Sequence, residues 1–195
     1  MRVVLASGNP HKREEIAAII QALGLPLTLV TPGVPLPDVV EDGDTLAANA
    51  IKKARTVALA LGLPALADDT GLEVDALGGA PGHHAARYAG PEQDAAKNVA
   101  KLLAALRGVP AAQRTARFRC VMALVVDPRG EPLLGEGIVE GRIAEAPAGG
   151  GGFGYDPVFW LPESSCTLAA LPQAEKNALS HRYRALADLG RRLPR

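Results

Sequence analysis

The chain has 195 residues, and its 21 acidic and 21 basic side chains balance, so we expect neither nucleic acid nor an anionic membrane as a partner. Hydrophobic residues make up 48% of the sequence but aromatic residues only 4%, which predicts a single domain over residues 1–195 with a core of small aliphatic side chains. The two cysteines lie far apart, and no apolar stretch approaches the roughly 20 residues that span a bilayer, so we expect a cytoplasmic protein.

Hydrophobic periodicity, helix caps and turn residues predict helices and strands that follow one another without strict alternation. This order indicates an α/β fold with a mixed sheet. In the first half, the predicted elements are a strand at 2–6, a helix from Pro10 to about Gly24 with Asn9 as its cap, a loop at 31–43, a helix from Asp44 or Thr45 to Gly62, and strands at 64–67 and 72–76. In the second half, they are a loop at 78–82, a helix at 91–106, strands at 118–126, 135–143 and 158–161, and a helix that begins near Ser180.

The segment Ala67-Asp68-Asp69-Thr70-Gly71 follows the apolar run at 64–67. Two adjacent carboxylates at the end of a buried strand are costly to desolvate unless a positive charge lies opposite them. A magnesium ion is one such partner, because magnesium prefers oxygen ligands. The alternative is a turn in which the Asp and Thr side chains bond to nearby backbone groups, and the segment alone leaves both possibilities open.

The run Ser7-Gly8-Asn9-Pro10-His11-Lys12 joins the first strand to the first helix. Backbone N–H groups at the start of a helix bind phosphate readily, and a lysine in the first turn is favourable when an anion is bound there. The alternative is an ordinary capped helix with a solvated lysine.

On the second helix, Asn49 and Lys53 lie four residues apart at the edge of the apolar face. Glu41 lies just upstream and follows an apolar pair of valines. These polar groups are candidates for a site, and the alternative for Lys53 is a lysine whose stem covers apolar surface while its charge stays in water.

Four consecutive glycines, Gly149–Gly152, precede Phe153-Gly154-Tyr155-Asp156. A run of this kind serves mobility or a close approach of the backbone, and an aromatic ring beside it can stack on a nucleobase. The alternative is a loop anchored by one buried aromatic side chain.

Near the end of the chain, Lys176 precedes the run Ser180-His181-Arg182. If Ser180 caps the last helix, His181 and Arg182 lie in its first turn. An arginine at that position can donate a fork of hydrogen bonds to a carbonyl or a phosphate.

Six motifs resemble, in this order, those of the inosine/xanthosine triphosphate pyrophosphatases. They are Ser-Gly-Asn-x-x-Lys, Ala-Asp-Asp-Thr-Gly-Leu, Gly-Gly-Ala-Pro-Gly, Ala-Arg-Tyr-Ala-Gly, Gly-Gly-Phe-Gly-Tyr-Asp-Pro and Glu-Lys-Asn-Ala-x-Ser-His-Arg, within residues 3 to about 190. The resemblance implies magnesium-dependent hydrolysis of the triphosphates of deaminated purines (ITP, dITP and XTP) to a monophosphate and pyrophosphate. It also implies an elongated mixed α/β fold, two lobes with the active cleft between them, and a homodimer.

The resemblance also implies a role for each matching residue. Asp69 would bind magnesium and act as the base toward water, Glu41 would be the second acidic ligand, and Phe153 would stack on the base. The other implied substrate contacts are Ser7, Gly8, Asn9, Lys12, Lys53 and Thr70 for the phosphates, Gly154, Tyr155 and Asp156 around the base, and Lys176, His181 and Arg182 at its edge, with Asp68 and Asn49 in support.

The chain departs from the family pattern at three positions. Ala48 stands where many members have Glu, Ala85 stands where a Ser usually occurs, and Val40 replaces one acid of a frequent pair. Two other hypotheses stay open at this point. One is a related pyrophosphatase for pyrimidine or modified nucleotides, and the other is a nucleotide-binding regulator without catalysis.

Overall fold

The computed structural model describes residues 1–193, and the following bounds refer to them. Its strands are β1 (Arg2–Leu5), β2 (Thr28–Val30), β3 (Ala65–Val74), β4 (Pro81–Gly82), β5 (Thr115–Val125), β6 (Leu133–Ile143), β7 (Phe159–Leu161) and β8 (Cys166–Thr167). Its α-helices are α1 (Pro10–Ala22), α2 (Leu46–Leu61), α3 (Ala95–Ala105), α4 (Gln173–Leu179) and α5 (His181–Arg192). None of the described helices is long and apolar enough to cross a membrane.

The strands form one mixed sheet in the order β2-β1-β3-β5-β6-β7-β8, with β4 paired to β3. Strand β1 is parallel to both β2 and β3, so Val4 pairs with Val30 on one side and with Ala65 on the other. Strand β7 is antiparallel to both β6 and β8. The predicted α/β class with a mixed sheet is therefore confirmed.

The chain divides into two compact units. The first unit comprises residues 1–69 and 120–137 and the segment that starts at Ser180, and the second comprises residues 70–119 and 138–179. The first unit has apolar clusters around α1 and α5 and around α2, and the second has a cluster that includes Leu102, Phe118 and Phe159. The single domain, the elongated outline and the cleft stay predictions.

Three helix starts match the predictions, and for two of them the predicted caps, Asn9 and Ser180, are confirmed. The Asn9 carboxamide accepts hydrogen bonds from the His11 and Lys12 N–H groups, and the Thr45 hydroxyl accepts one from Ala48. The Ser180 hydroxyl caps α5 in the same way. The helix predicted at 91–106 was placed too early, because Asp94 caps it and its first residue is Ala95.

The acidic segment does not form the turn that was the alternative. Strand β3 runs without interruption through Asp68, Asp69 and Thr70, so the two short strands predicted at 64–67 and 72–76 are one. The strand ends at Val74, and the following residues form a 3-10 turn. Strands β2, β4 and β8 and helix α4 were not predicted, and β4 lies within the predicted loop at 78–82.

Helix α5 lies close against β6 because that strand has glycine at two alternate positions. A Cβ atom at Gly137 would meet the carbonyl oxygen of His181 and the backbone nitrogen of Ala185. The Glu136 N–H group also donates to the Asp188 carboxylate at 3.0 Å. The glycines therefore determine where the first turn of α5 lies.

We expect the substitution Gly137→Ala to destabilise the protein by about 1–3 kcal/mol, because the added methyl group meets backbone atoms rather than a flexible side chain. Urea unfolding of this variant measures the effect. Gly33→Ala is the control, because a Cβ at Gly33 would meet nothing within 4 Å. Equal stability of the two variants would contradict the close packing of α5 on β6.

Candidate functional site: carboxylates and lysines around strand β3

Two buried carboxylates lie next to each other on β3. Asp68 is 2% exposed and Asp69 is 6% exposed. Successive side chains of a strand point to opposite faces of the sheet, so each carboxylate has a set of partners of its own. Because a buried charge is stable only when it is paired and hydrogen-bonded, these partners decide whether the segment can fold.

Lys53 of α2 connects Asp69 to Glu41. Its Nζ atom lies 2.9 Å from Asp69 Oδ1 and 3.1 Å from Glu41 Oε2. Asn49, one turn earlier on α2, donates from Nδ2 to Asp69 Oδ2 at 3.3 Å and accepts the Gly43 N–H at 2.8 Å. The structure thus brings together four of the predicted residues, and Asn49 joins the loop after Glu41 to the strand.

Burial and the neighbouring charges shift the pKa values of all three ionisable groups. Burial raises the pKa of Asp69, and the nearby Glu41 charge raises it further against the opposing effect of Lys53. Burial also raises the pKa of Glu41, but the charge and hydrogen bond of Lys53, together with contributions from Asp69 and Lys12, outweigh it and the net pKa is lowered. The pKa of Lys53 is raised, because the charges of Asp69, Asp68 and Glu41 exceed the effect of its own burial.

The donor set fits a magnesium ion that is completed by substrate. No group of three or more His, Cys, Asp or Glu side chains within residues 1–193 could hold a metal, so these residues do not form a complete cage. Magnesium, however, is commonly held by one or two carboxylates together with substrate phosphates and water. Glu41 and Asp69, two carboxylates joined by the Lys53 ammonium, match that arrangement.

On the other side of the strand, Asp68 is paired with two cations. Its carboxylate lies 3.0 Å from Lys12 Nζ and 3.2 Å from Arg182 Nε. Burial raises the pKa of Asp68, but Lys12, Arg182 and Lys53 outweigh it and the net pKa lies below its ordinary value. Asp68 therefore holds the Lys12 ammonium and the Arg182 guanidinium in place through ion pairs.

The sequence prediction missed Glu15. This residue of α1 is 3% exposed, and its Oε2 atom lies 3.5 Å from Arg182 Nη1. The guanidinium of Arg182 therefore lies between two carboxylates. A signal existed, because Glu15 is four residues before Ile19 on the apolar face of the first helix, where an unpaired acid is unfavourable.

At the start of α1, the predicted phosphate residues form the helix cap. The Ser7 hydroxyl accepts the Asn9 N–H at 3.2 Å, and Asn9 Oδ1 accepts the His11 N–H at 3.0 Å. Open space surrounds the position of a Cβ at Gly8. The capped helix is thus present, and phosphate binding there stays a prediction.

In the second unit, the residues predicted around a base form a closed turn. Asp156 accepts the Phe153 N–H at 2.8 Å and pairs with Lys176 Nζ at 2.8 Å. The same ammonium lies 4.8 Å from the centre of the Phe153 ring. The Tyr155 hydroxyl donates to the carbonyl of Ala85 at 2.8 Å. Ala85 is one of the departures from the family pattern, and its backbone is thus hydrogen-bonded to Tyr155.

The remaining predicted residues lie at element ends or within strands. Thr70 is a half-buried residue of β3 in the second unit, and His181 is the buried first residue of α5. Ala48, another departure from the family pattern, is an exposed residue of α2. The glycine run allows a close backbone approach, because a Cβ at Gly149 would meet the backbone of Ala169.

The contact between Asn49 and Asp69 yields a test that does not require activity. In EDTA, we expect Asn49→Asp to lose about 1–3 kcal/mol of stability, because an oxygen replaces the donor that faces Asp69. Magnesium should restore more stability to this variant than to the wild type, because the variant has one more carboxylate to neutralise.

Thermal unfolding with and without magnesium measures both effects, and Gln21→Glu is the control because it adds the same charge to an exposed residue of α1. If Asn49→Asp and Gln21→Glu unfold alike in EDTA, Asn49 does not support Asp69.

Comparison with known proteins identifies relatives along almost the whole chain. A model of the Ham1 family matches residues 3–192. A dITP/XTP pyrophosphatase of Xanthomonas oryzae pv. oryzae is 52% identical over 193 residues, which cover 98% of this chain and 96% of that protein. One from Geobacillus kaustophilus is 49% identical over 187 residues, which cover 96% and 91%.

Solved structures give the same result. A HAM1 protein from Coxiella burnetii matches with a TM-score of 0.85 and 42% identity, over 98% of this chain and 97% of that one. The Staphylococcus aureus Ham1 protein matches with a TM-score of 0.81 and 37% identity, over 95% and 94%. The chain that carries these paired carboxylates and lysines therefore belongs to the Ham1 family.

Proposed function

We propose that this protein hydrolyses the triphosphates of deaminated purines (dITP, XTP and ITP) to the nucleoside monophosphate and pyrophosphate. The observation that carries the proposal is the ion-paired group of Lys53, Asp69 and Glu41 in a Ham1 chain. The relatives from Xanthomonas and Geobacillus that bear the name dITP/XTP pyrophosphatase support the choice of substrate, since each aligns with at least 96% of this chain.

In this proposal, the first unit supplies most of the residues that bind the phosphates. The start of α1 offers backbone N–H groups and a helix dipole to an anion, with Ser7, Gly8 and Asn9 as the contacting residues. Lys12 and Lys53 neutralise the charge of the departing pyrophosphate. Thr70 is assigned to a phosphate as well.

Magnesium is the proposed cofactor, with Glu41 and Asp69 as its protein ligands. When bound, it would supply Lewis-acid polarisation of the phosphate oxygens and a template that aligns them. The two carboxylates hold the negative charge that such an ion requires. Asn49 keeps Asp69 in place through Oδ2, while Lys53 bonds to Oδ1.

Asp69 is the proposed base that accepts a proton from the attacking water. Burial and Glu41 raise its pKa, so this carboxylate is a stronger base than an exposed aspartate. Lys53, which lies 2.9 Å from the carboxylate, orients it. Water so activated attacks the α-phosphorus, and the bond to the bridging oxygen of pyrophosphate breaks.

We assign the purine base to Phe153 as a stacking surface, with Gly154, Tyr155 and Asp156 around it. Lys176, His181 and Arg182 are assigned to the base edge, where a keto oxygen at C6 accepts hydrogen bonds. An adenine amino group would face these donors with its own N–H groups, which disfavours ATP. Within the molecule, Asp68 and Glu15 orient the Arg182 guanidinium.

The proposal includes a homodimer that works in the cytoplasm. It includes neither a nucleic acid nor a membrane as a partner, because the net charge of the chain is zero. Size-exclusion chromatography with light scattering tests the dimer.

Pyrophosphate release from dITP, XTP, ITP, GTP, ATP and dTTP, with magnesium and with EDTA, tests the function. We expect fast release from the deaminated purines alone and none in EDTA. Faster release from dTTP would point to a pyrimidine or modified-nucleotide enzyme, and tight binding of dITP without release would point to a regulator, so either result would contradict the proposal.

We expect Asp69→Asn to lower kcat for dITP by about 10²–10⁴-fold, the usual contribution of a general base, while the fold persists. The exposed loop variant Asp38→Asn is the matched control and should keep wild-type turnover. Near-normal kcat in Asp69→Asn would remove this residue from the mechanism.

The conservative substitution Arg182→Lys keeps a charge beside Asp68 and Glu15 but loses the planar fork of donors. We expect the ratio of kcat/KM for dITP to that for dATP to fall about tenfold, the value of one hydrogen bond to a charged group. Arg184→Lys on the exposed side of α5 serves as control, and an unchanged ratio in Arg182→Lys would show that this side chain does not select the base.

A further inference from the structure

We propose that the Tyr155 hydroxyl and the Asn98 carboxamide are positioning groups that hold the Phe153 ring in place through residues 85–89. The inference rests on the proposed function, in which Phe153 is the surface that stacks on the purine base. Tyr155 is assigned to the surroundings of the base, but its hydroxyl and the Asn98 carboxamide bond to the backbone of residues 85–89 and are not expected to touch the substrate. Both groups fix the position of the Phe153 side chain.

Phe153 belongs to a turn that is closed on itself. The Asp156 N–H group donates to the Phe153 carbonyl at 3.2 Å, and the Asp156 carboxylate accepts the Phe153 N–H at 2.8 Å. Gly154, within the turn, has a φ of +64°. Because the four residues form one closed unit, a side chain that fixes any of them also restrains Phe153.

Tyr155 fixes this turn from inside the protein. Its side chain packs in the apolar cluster of the second unit and is 6% exposed. The hydroxyl donates to the Ala85 carbonyl at 2.8 Å, a buried hydrogen bond between residues 70 positions apart in the chain. Burial and the neighbouring Tyr88 raise the pKa of the phenol, so it remains a neutral donor at physiological pH.

Residues 85–89 need support of their own, because they form only a short 3-10 turn and its flanks. Asn98, one turn into α3 and 3% exposed, supplies it. Its Nδ2 atom donates to the Ala86 carbonyl at 2.8 Å, and its Oδ1 atom accepts the Ala89 N–H at 2.6 Å. The rigid helix α3 is therefore connected to the Phe153 turn through Ala85 and Tyr155.

This arrangement answers a mechanical need. The turn follows four glycines, which restrict the backbone less than any other residue, while stacking requires a ring held in one plane. If the ring moves, it must be ordered before a base can stack on it, and this ordering costs binding free energy. Holding the ring in advance lowers that cost, so the two positioning groups should act on substrate binding more than on the chemical step.

The test compares Tyr155→Phe, which removes only the hydroxyl, with the wild type. We expect KM for dITP to rise about three- to tenfold, as for the loss of one buried hydrogen bond, with kcat within about twofold. Asn98→Asp, which keeps the acceptor but loses the donor, should raise KM in the same direction. Tyr183→Phe on α5 is the control and should leave KM unchanged.

The same substitution in a Phe153→Ala background separates positioning from general loosening. If Tyr155 acts through Phe153, Tyr155→Phe adds no further rise in KM once the ring is gone. A wild-type KM in Tyr155→Phe, or an undiminished rise in the Phe153→Ala background, would overturn the inference alone. A wild-type protein that releases no pyrophosphate from dITP would overturn the proposed function and, with it, this inference.

Discussion

The charge of Lys53 allows the buried Asp69 and the half-buried Glu41 to lie near each other, and the described site depends on this interaction. The ammonium lies about equally far from both carboxylates, at 2.9 and 3.1 Å. Burial, together with the Glu41 charge, raises the pKa of Asp69 despite this lysine. The proposed role of Asp69 as a magnesium ligand and as a base rests on this arrangement. Asp68 does not share this role, because Lys12 and Arg182 already pair with it on the other side of the strand.

Much of the fold could be predicted because long elements carry strong signals. The predicted caps Asn9 and Ser180 and the predicted start at Asp44 or Thr45 located three helices, and apolar periodicity indicated their buried faces. Strands β2, β4 and β8 were missed because they have three, two and two residues, too few to show any period. Strand β3 was divided in two, because Asp-Asp-Thr-Gly is typical of turns. Tertiary ion pairs with Lys12 and Lys53 override that local preference.

The candidate site was predictable in its residue types but not in its pairings. Asn49 and Lys53 were recognised from helical spacing, and the structure shows that both contact Asp69. Glu15 was missed, since its partner Arg182 is 167 positions away in the chain. The hydroxyl of Tyr155 and the amide of Asn98 could not have been placed either, because both bond to backbone carbonyls. Sequence patterns reveal which side chains carry charge, whereas contacts with the backbone of distant segments require the fold.

The central claim is that Asp69 directs water to the α-phosphorus of a deaminated purine triphosphate. Hydrolysis of dITP in water labelled with ¹⁸O, followed by mass spectrometry of both products, tests it most directly. The account predicts that the label enters dIMP and that pyrophosphate stays unlabelled. Label in pyrophosphate, or release of orthophosphate in its place, would contradict attack at the α-phosphorus and the role assigned to Asp69.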